Sequence, residues 1–272
     1  MKPRYMRLFP NRVLSLATVF VAVCSHAAAV TITSIGAVYA QDFNTLAASG
    51  TGADLPADWS FAESGDNTNG LFTAGTGSSA TGDTYSFGVD ADRALGGLQS
   101  GSLLPLFGVY FENRSGGLID TLEIAYTGEQ WRLGAVDRAD RLDFQYSVDA
   151  TSLTTGTWTE WDALDFLAPT AAAGVGIRNG NLDANRVAVA AAITGLTLVD
   201  EARIWLRWSD FDAAGRDDGL AIDDFRLVAN GPVPSPGAAV PDSVPMAACL
   251  GAVLLGLVAV QHGGVGRRIS ER

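Results

Sequence analysis

Six of the fifteen residues from position 210 to position 224 are aspartates: Asp210, Asp212, Asp217, Asp218, Asp223 and Asp224. Calcium binds six to eight oxygens at about 2.3–2.6 Å, and carboxylates are its main protein ligands. Gly215 and Gly219 would let this segment curl around an ion. No glutamate stands at the twelfth place, so the segment is not an EF-hand loop. A calcium site of another kind is therefore one of two explanations of these residues.

A solvated acidic turn is the alternative explanation of the same residues. Aspartate side chains in turns accept hydrogen bonds from nearby backbone N–H groups, with no ion needed. Successive side chains of a strand point to opposite faces, so Asp223 and Asp224 do not easily reach one ion together. Ile222 and Phe225 do not alternate cleanly either, which indicates a β-bulge between them.

Aromatic residues form the second group of candidate binding residues. The candidates for stacking on a sugar ring are Trp131, Trp205 and Trp208, and Trp158 and Trp161 add two further indoles. Trp205 and Trp208 are three residues apart, so on one strand they point to opposite faces. One of the two is therefore expected outside the core. Packing in the core is the competing explanation for each ring.

The segment Glu129-Gln130-Trp131-Arg132 places an acid, an amide and a cation together. Glu129 or Arg132 could join the sheets through an ion pair, or they could line a ligand groove. The sequence leaves both possibilities open.

Most catalytic chemistry lacks a necessary residue in this chain. Residues 30–241 contain no histidine, cysteine or lysine, which removes Ser-His-Asp, Cys-His, Schiff-base and His-ligated zinc sites. A pair of carboxylates for glycoside cleavage is the remaining possibility. No specific pair can be chosen from the sequence, so we predict no catalytic residue and a protein that is not an enzyme.

The same segment is strongly acidic, with 28 aspartates and glutamates against 11 arginines, a net charge of −17. Such a surface repels phosphate backbones, so nucleic acid is excluded as a partner.

The elements that must position these residues are short strands. Alternating apolar and polar residues in 122–126 and 204–208 have the period of a half-buried strand. Gly, Asn and Asp clusters separate such runs, and no long helical period occurs between positions 30 and 228. We predict an all-β fold, an antiparallel β-sandwich of the jelly-roll type, for residues 30–230. The Gly- and Ser-rich segment 65–88 is predicted to be a surface loop that enters a strand at Tyr85.

Both ends of the chain carry targeting signals. Residues 1–29 combine a basic start, an apolar stretch and Ala27-Ala28-Ala29, which is typical of a secretory signal peptide. A Pro-rich linker, residues 231–243, leads to an apolar segment, residues 244–266. At about 1.5 Å per residue, that segment is long enough for a single transmembrane helix across about 30 Å of hydrocarbon. The basic tail, residues 267–272, fits the cytoplasmic side.

The motif Val240-Pro241-Asp242-Ser243, the apolar segment and the terminal pair Arg267-Arg268 resemble the tails of exosortase-sorted bacterial envelope proteins, the PEP-CTERM class and its VPDSG variant. Val244 stands where that variant has glycine. The resemblance implies export to the cell envelope or cell surface. It also implies a membrane and an exosortase-type sorting protease as partners, with the tail either retained as an anchor or removed.

A second resemblance covers residues 38–228. It rests on the segments Gln41–Leu46, Leu55–Trp59, Thr76–Gly88, Arg93–Gly96, Tyr126–Arg132 and Asp210–Phe225. These look like a recurrent jelly-roll module of secreted bacterial envelope proteins, similar to MAM and concanavalin-like domains. In such jelly rolls a structural cation is held where the first and last strands meet. The resemblance therefore implies that Asp42 approaches Asp223 or Asp224.

Together these observations predict a non-catalytic surface or extracellular-matrix protein. A calcium-dependent module that binds surface polysaccharide is the alternative, and a carboxylate-dependent glycosidase is the remote one.

Overall fold

A computed structural model of the protein describes residues 29–172 and 174–232. The predicted signal peptide, apart from Ala29, and the predicted sorting motif, transmembrane segment and basic tail lie outside these residues. The fold below is that of residues 29–231, which belong to one compact unit. Within the described residues the helices are three-residue 3-10 turns, Asp162–Leu164 and Asp183–Asn185, and none is long and apolar enough to cross a membrane.

The described chain is all-β, as predicted, with sixteen strands. They are β1 (Val30–Ile32), β2 (Val38–Gln41), β3 (Thr51–Gly52), β4 (Trp59–Ser64), β5 (Phe72–Gly75), β6 (Asp83–Val89), β7 (Asp92–Leu98), β8 (Leu104–Asn113), β9 (Ile119–Leu133), β10 (Arg141–Ser147), β11 (Thr159–Glu160), β12 (Phe166–Leu167), β13 (Gly176–Ile177), β14 (Arg186–Leu198), β15 (Arg203–Asp210) and β16 (Gly219–Asn230).

The strands form two sheets. In sheet A, β15 is the central strand and lies between β8 and β10. The other edge of β8 pairs with β1 and β4, and the other edge of β10 pairs with β11 and β12. In sheet B, β9 lies between β16 and the edge strands β13 and β14, and β16 continues to β7 and β2. Most pairs are antiparallel, but β1–β8 and β5–β6 are parallel, so both sheets are mixed. The predicted β-sandwich is confirmed, and the predicted antiparallel arrangement is wrong for these two strand pairs.

Segment 65–88 also differs from the predicted loop, since it contains the strand β5 before β6 begins at Asp83. Phe72 explains the difference: it is buried at 1% exposure in the main core and fixes this strand against β6.

The sheets pack face to face around Trp208. Its ring lies 5.1 Å from Phe144 of sheet A, and 5.4 and 5.7 Å from Tyr126 and Phe225 of sheet B. The alternation of β15 produces this arrangement, because Trp208 points into the sandwich and Trp205 points away from it. The chain is thus a β-sandwich with one main core.

Two smaller apolar clusters lie outside the main core. Tyr85, Phe87 and Trp131 stack in a row on the outer side of sheet B. Trp205, Leu106 and Leu153 form the other cluster on the outer side of sheet A. Both sheets therefore carry structured residues on the surfaces that face away from the core.

Candidate functional site

The predicted aspartates separate into two places, and the first is a buried acidic cluster. Asp210 ends β15, Asp217 and Asp218 lie just before β16, and Asp140 comes just before β10. All four are buried, with at most 5% of each residue exposed. Asp212 is exposed and lies outside this cluster. Asp140 is a member that the sequence analysis did not identify.

Arg138 supplies the positive charge of the buried acidic cluster. Its Nη1 lies 2.8 Å from Asp140 Oδ2, and its Nη2 lies 3.5 Å from Asp218 Oδ1. Only 13% of the arginine side chain is exposed, so this ion pair lies in a poorly solvated environment. The guanidinium is therefore a counter-charge inside the cluster for Asp140 and Asp218.

The same carboxylates accept hydrogen bonds from the turns around them. Asp217 Oδ1 accepts from the Ala213 N–H at 3.0 Å, and Asp218 Oδ1 accepts from the Gly134 N–H at 2.7 Å. Gln130 Nε2 donates to Asp218 Oδ2 at 2.6 Å. Asp140 Oδ2 accepts from the Asp218 N–H at 2.7 Å. This is the turn-capping role that the sequence analysis gave as the alternative to a cation.

Burial makes these acids hard to ionise. Burial, followed by the charge of Asp140, raises the pKa of Asp217 to about 6. Burial raises the pKa of Asp218 also to about 6, and that of Asp210 well above its usual value. Among the described residues, the buried atoms Asp210 Oδ1 and Gln99 Oε1 have no hydrogen-bond partner.

Arg138 and the N–H groups of Ala213, Gly134 and Gln130 already contact the carboxylates of this cluster. Within residues 29–172 and 174–232, no group of three or more His, Cys, Asp or Glu side chains is arranged to hold a metal ion.

The remaining predicted aspartates lie where β2 pairs with β16. The pairing of the first part of the chain with the last strand is as expected, with Gln41 opposite Phe225. Asp42 and Asp224 line one depression of about 350 Å³. The register of β16 against β9 shifts between Asp223 and Arg226, and Asp224 has a φ of 49°, so the predicted bulge is present. Asp223 is buried, whereas Asp224 is exposed.

Asp223 lies diagonally across from Glu129 in sheet B, since Ala221 is opposite Glu129 and Asp223 is opposite Thr127. Only 2% of Glu129 and 6% of Asp223 is exposed. Burial raises the pKa of Asp223 to about 8 and that of Glu129 to about 7. Trp131 Nε1 donates a 2.9 Å hydrogen bond to Glu129 Oε2, so Glu129 is held by an indole instead of an interstrand arginine.

The predicted sugar-stacking tryptophans are not the exposed aromatic residues. Trp131 and Trp208 are both 0% exposed, so neither ring offers a free face. The reason is that each fills an apolar cluster, Trp131 beside Phe87 and Trp208 between the two sheets. Trp205 is on the outer side of sheet A as the alternation predicts, but only 7% of it is exposed.

Sheet A nevertheless presents aromatic rings to solvent, on a surface called here the outer aromatic face. It consists of Tyr110, Trp158, Trp205, Gln145 and Arg207, and all but Trp205 are partly exposed. Tyr110 is opposite Trp205 on the neighbouring strand, and their rings stack at 4.9 Å. The buried indole thus supports the more exposed phenol ring.

Arg207 organises the other half of this face. Its guanidinium lies 3.8 Å from the ring centre of Trp158, and its Nε donates to Gln145 Oε1 at 2.6 Å. It also donates to the Leu153 carbonyl. Leu153 lies over Gly108, where a Cβ atom would come within 2.9 Å of the leucine side chain. These contacts fix Trp158 on the sheet, although it belongs to no strand.

Charge on this face is mixed. Burial lowers the pKa of Arg207 to about 10, which leaves it charged at neutral pH. Glu160 lies opposite Gln145 on β11 and is exposed. The face therefore offers apolar rings beside hydrogen-bond donors and acceptors, the combination that a ring with many hydroxyl groups requires.

Two residues that matter here had weak sequence signals. Tyr110 could have been found from the alternation in residues 107–111. Phe107, Val109 and Phe111 point into the core, so the residues between them point outward, and of these only Tyr110 has a large side chain. Arg138 follows no pattern in the sequence, and its contact with Asp218 is visible only in the fold.

No family model matches the chain, and no curated protein matches it significantly. Among solved structures, it is similar to TmCBM61 in complex with β-1,4-galactotriose, with 12% identity, coverage of 62% of this chain and 88% of that one, and a TM-score of 0.32. A carbohydrate-binding module specific for non-crystalline cellulose, CBM28, gives 10% identity, coverage of 64% and 87%, and a TM-score of 0.30. A third similar structure is a family 11 carbohydrate-binding module from Clostridium thermocellum in complex with a β-1,3-1,4-mixed-linked tetrasaccharide. Its sequence identity is 10%, the match covers 69% of this chain and 100% of that one, and the TM-score is 0.26.

Proposed function

We propose that this protein is a non-catalytic carbohydrate-binding β-sandwich. The observation that carries the proposal is the outer aromatic face, where Tyr110 and Trp158 are partly exposed on a rigid sheet beside Arg207 and Gln145. Apolar C–H faces of sugar rings pack on aromatic side chains, and charged or amide groups at the edge bind hydroxyl groups. A sheet holds such groups in place, so little conformational entropy is lost on binding.

Polysaccharide binding should depend on the exposed rings. Trp158→Ala and Tyr110→Ala are each expected to weaken binding at least about tenfold, because interface aromatics of this kind contribute about 1.4 kcal/mol or more. The measurement is affinity electrophoresis through an array of neutral and acidic polysaccharides, followed by calorimetry on the best ligand.

Phe211→Ala is the matched control, since Phe211 is also an exposed ring with an arginine, Arg141, 4.0 Å above its centre. It lies outside the outer aromatic face and should leave affinity unchanged. Each assay is run in calcium and in chelator, and loss of binding in chelator alone would identify the calcium-dependent form of the proposal. Equal affinity of the wild type and both face variants would exclude this surface.

A structural surface component without a small ligand is the second candidate. The burial of Trp59, Trp131, Trp205 and Trp208 favours it, because most of the indole area stabilises the fold and is not available to a ligand. Absence of binding to every polysaccharide in the array would support this candidate.

We further propose that the domain is exported and that its tail is processed at the cell envelope. The support is the sequence of the tail and leader alone, in particular Pro241-Asp242-Ser243 before the apolar segment. With an epitope fused after Arg272, the mature envelope form is expected to lose the epitope in a host that has an exosortase-type protease. Asp242→Ala should retain it. Retention of the epitope in both proteins would show that the tail remains as an anchor.

A further inference from the structure

Strand β14 leaves one edge of sheet B open. It pairs with β9 along nine consecutive residues, Arg186 to Thr194, and β9 uses its other edge for β16. Some backbone N–H and C=O groups between Val187 and Thr197 point away from β9. In the part of the chain that the structure describes, they form no backbone hydrogen bond with another strand. An unpaired strand edge of this length is a template for another strand.

The open edge lacks the features that normally prevent such pairing. From Val187 to Val199 the chain contains no charged residue and no proline, and charges and prolines are what proteins use to block edges. The register of β14 against β9 is regular up to Thr194 and shifts only between Thr194 and Leu198. The eight residues Val187–Thr194 thus form an uncharged edge with a regular register.

Apolar side chains are exposed around this edge. Ile177, on β13, is 55% exposed, Leu182 is 55% exposed, and Val187 is 39% exposed. β13 continues the same edge of β9 beyond the start of β14. A partner lying along the edge would cover these side chains as well as the backbone groups.

We propose that the partner of β14 is β14 of a second copy, paired antiparallel about a two-fold axis near Ala190 and Ala191. The charge distribution supports a second copy. Residues 30–241 carry a net charge of −17, so two copies repel each other over most surfaces, and this uncharged edge is where they can approach.

Antiparallel pairing about this axis keeps charged residues out of the centre of the contact. Arg186 of one copy would lie near Gly195 of the other, and Asp200 and Glu201 would lie beyond the paired residues. The contact is isologous, and it pairs the one free edge of β14 in each copy. No β14 edge is then left to bind a third copy, so the assembly is a dimer. The two sheets B would become one continuous sheet.

A charge-swap experiment tests the pairing. Ala190 is exposed on β14, and near a two-fold axis its side chain lies close to its counterpart. In sedimentation equilibrium the wild type is expected to dimerise with a Kd on the order of tens of micromolar, as befits a small interface. Ala190→Lys and Ala190→Glu should each weaken the dimer at least tenfold, because like charges then face each other. An equimolar mixture of the two variants should recover the dimer as a heterodimer.

Val148→Lys is the matched control, since Val148 is an exposed apolar residue that follows β10 of sheet A, away from β14. It should leave the dimer unchanged. The melting temperature of each variant shows whether it folds. If Ala190→Lys does not fold, Ala190→Glu alone tests the weakening of the dimer. A wild type that stays monomeric at several hundred micromolar, or charged variants that dimerise as well as the wild type, would overturn the proposal.

Discussion

Replacing Arg138 with glutamine is expected to lower the free energy of unfolding by about 3–5 kcal/mol at pH 7.5. Arg138 lies 2.8 Å from Asp140 and 3.5 Å from Asp218, and only 13% of its side chain is exposed. Removing one partner of a buried ion pair leaves its acids in a poorly solvated site without a counter-charge, so the loss exceeds that of any exposed pair. Urea denaturation measures the change.

The free energy of unfolding that Arg138→Gln loses should be smaller at pH 5 than at pH 8. Asp217 and Asp218 have pKa values of about 6 in the folded protein, so at pH 5 they are mostly protonated and need no counter-charge. Arg141→Gln is the control, because its ion pair with Asp143 is more exposed, at 39% and 23% of the two side chains. It should cost about 1 kcal/mol or less. A loss for Arg138→Gln that is the same at both pH values would contradict the assigned role.

The pair formed by Glu129 and Asp223 should make the protein more stable in mild acid than in base. Their folded pKa values, about 7 and about 8, lie above the ordinary values of 4.5 and 3.8. Groups of this kind contribute stability that is fully present below the ordinary pKa and is lost as pH rises through the folded pKa. The melting temperature is therefore expected to fall as pH rises from about 5, most steeply between pH 5 and pH 7, and to level off above about pH 8.

Asp223→Asn should remove much of this pH dependence. At pH 9 it is expected to raise the free energy of unfolding by on the order of 2–4 kcal/mol, since a neutral amide has no charge to bury. Its oxygen can still accept the bond from the Asp224 N–H, which is 2.7 Å long in the wild type. Glu129→Gln should act in the same direction. Asp90→Asn, in the exposed turn after β6, is the control and should change nothing; an Asp223→Asn protein with the wild-type pH profile would contradict the assignment.

Local patterns predicted the strands and several of their details. The alternation in 204–208 placed Trp205 and Trp208 on opposite sides of sheet A, and the irregular spacing of Ile222 and Phe225 predicted the bulge at Asp224. These features depend on residues close together in the sequence, whose side-chain directions are set by the two-residue period of a strand.

The electrostatics of the candidate site could not be predicted in the same way. The Asp218 N–H donates to Asp140 across 78 residues, and Gly134 donates to Asp218 across 84. Whether an aspartate faces water, an arginine or an empty site for a metal depends on such distant contacts. The predicted calcium site therefore joined residues that the fold separates, Asp217 and Asp218 in one place and Asp42 and Asp224 in another. Burial of Trp131 and Trp208 was likewise decided by the packing of remote strands.

The pairing of β2 with β16 has a consequence for the rate and timing of folding. Val38 of β2 lies opposite Val228 of β16, so the second strand of the chain pairs with the last one. Sheet B is therefore complete only when β16 is present. Contacts this far apart in sequence have a large loop-closure cost and make folding slow. A chain that leaves the ribosome or crosses a membrane from its N-terminus would thus expose β2 and the edge of β9 until nearly all of the domain has emerged. Its assembly is expected to be largely post-translational, with a lag set by the arrival of residues 219–230.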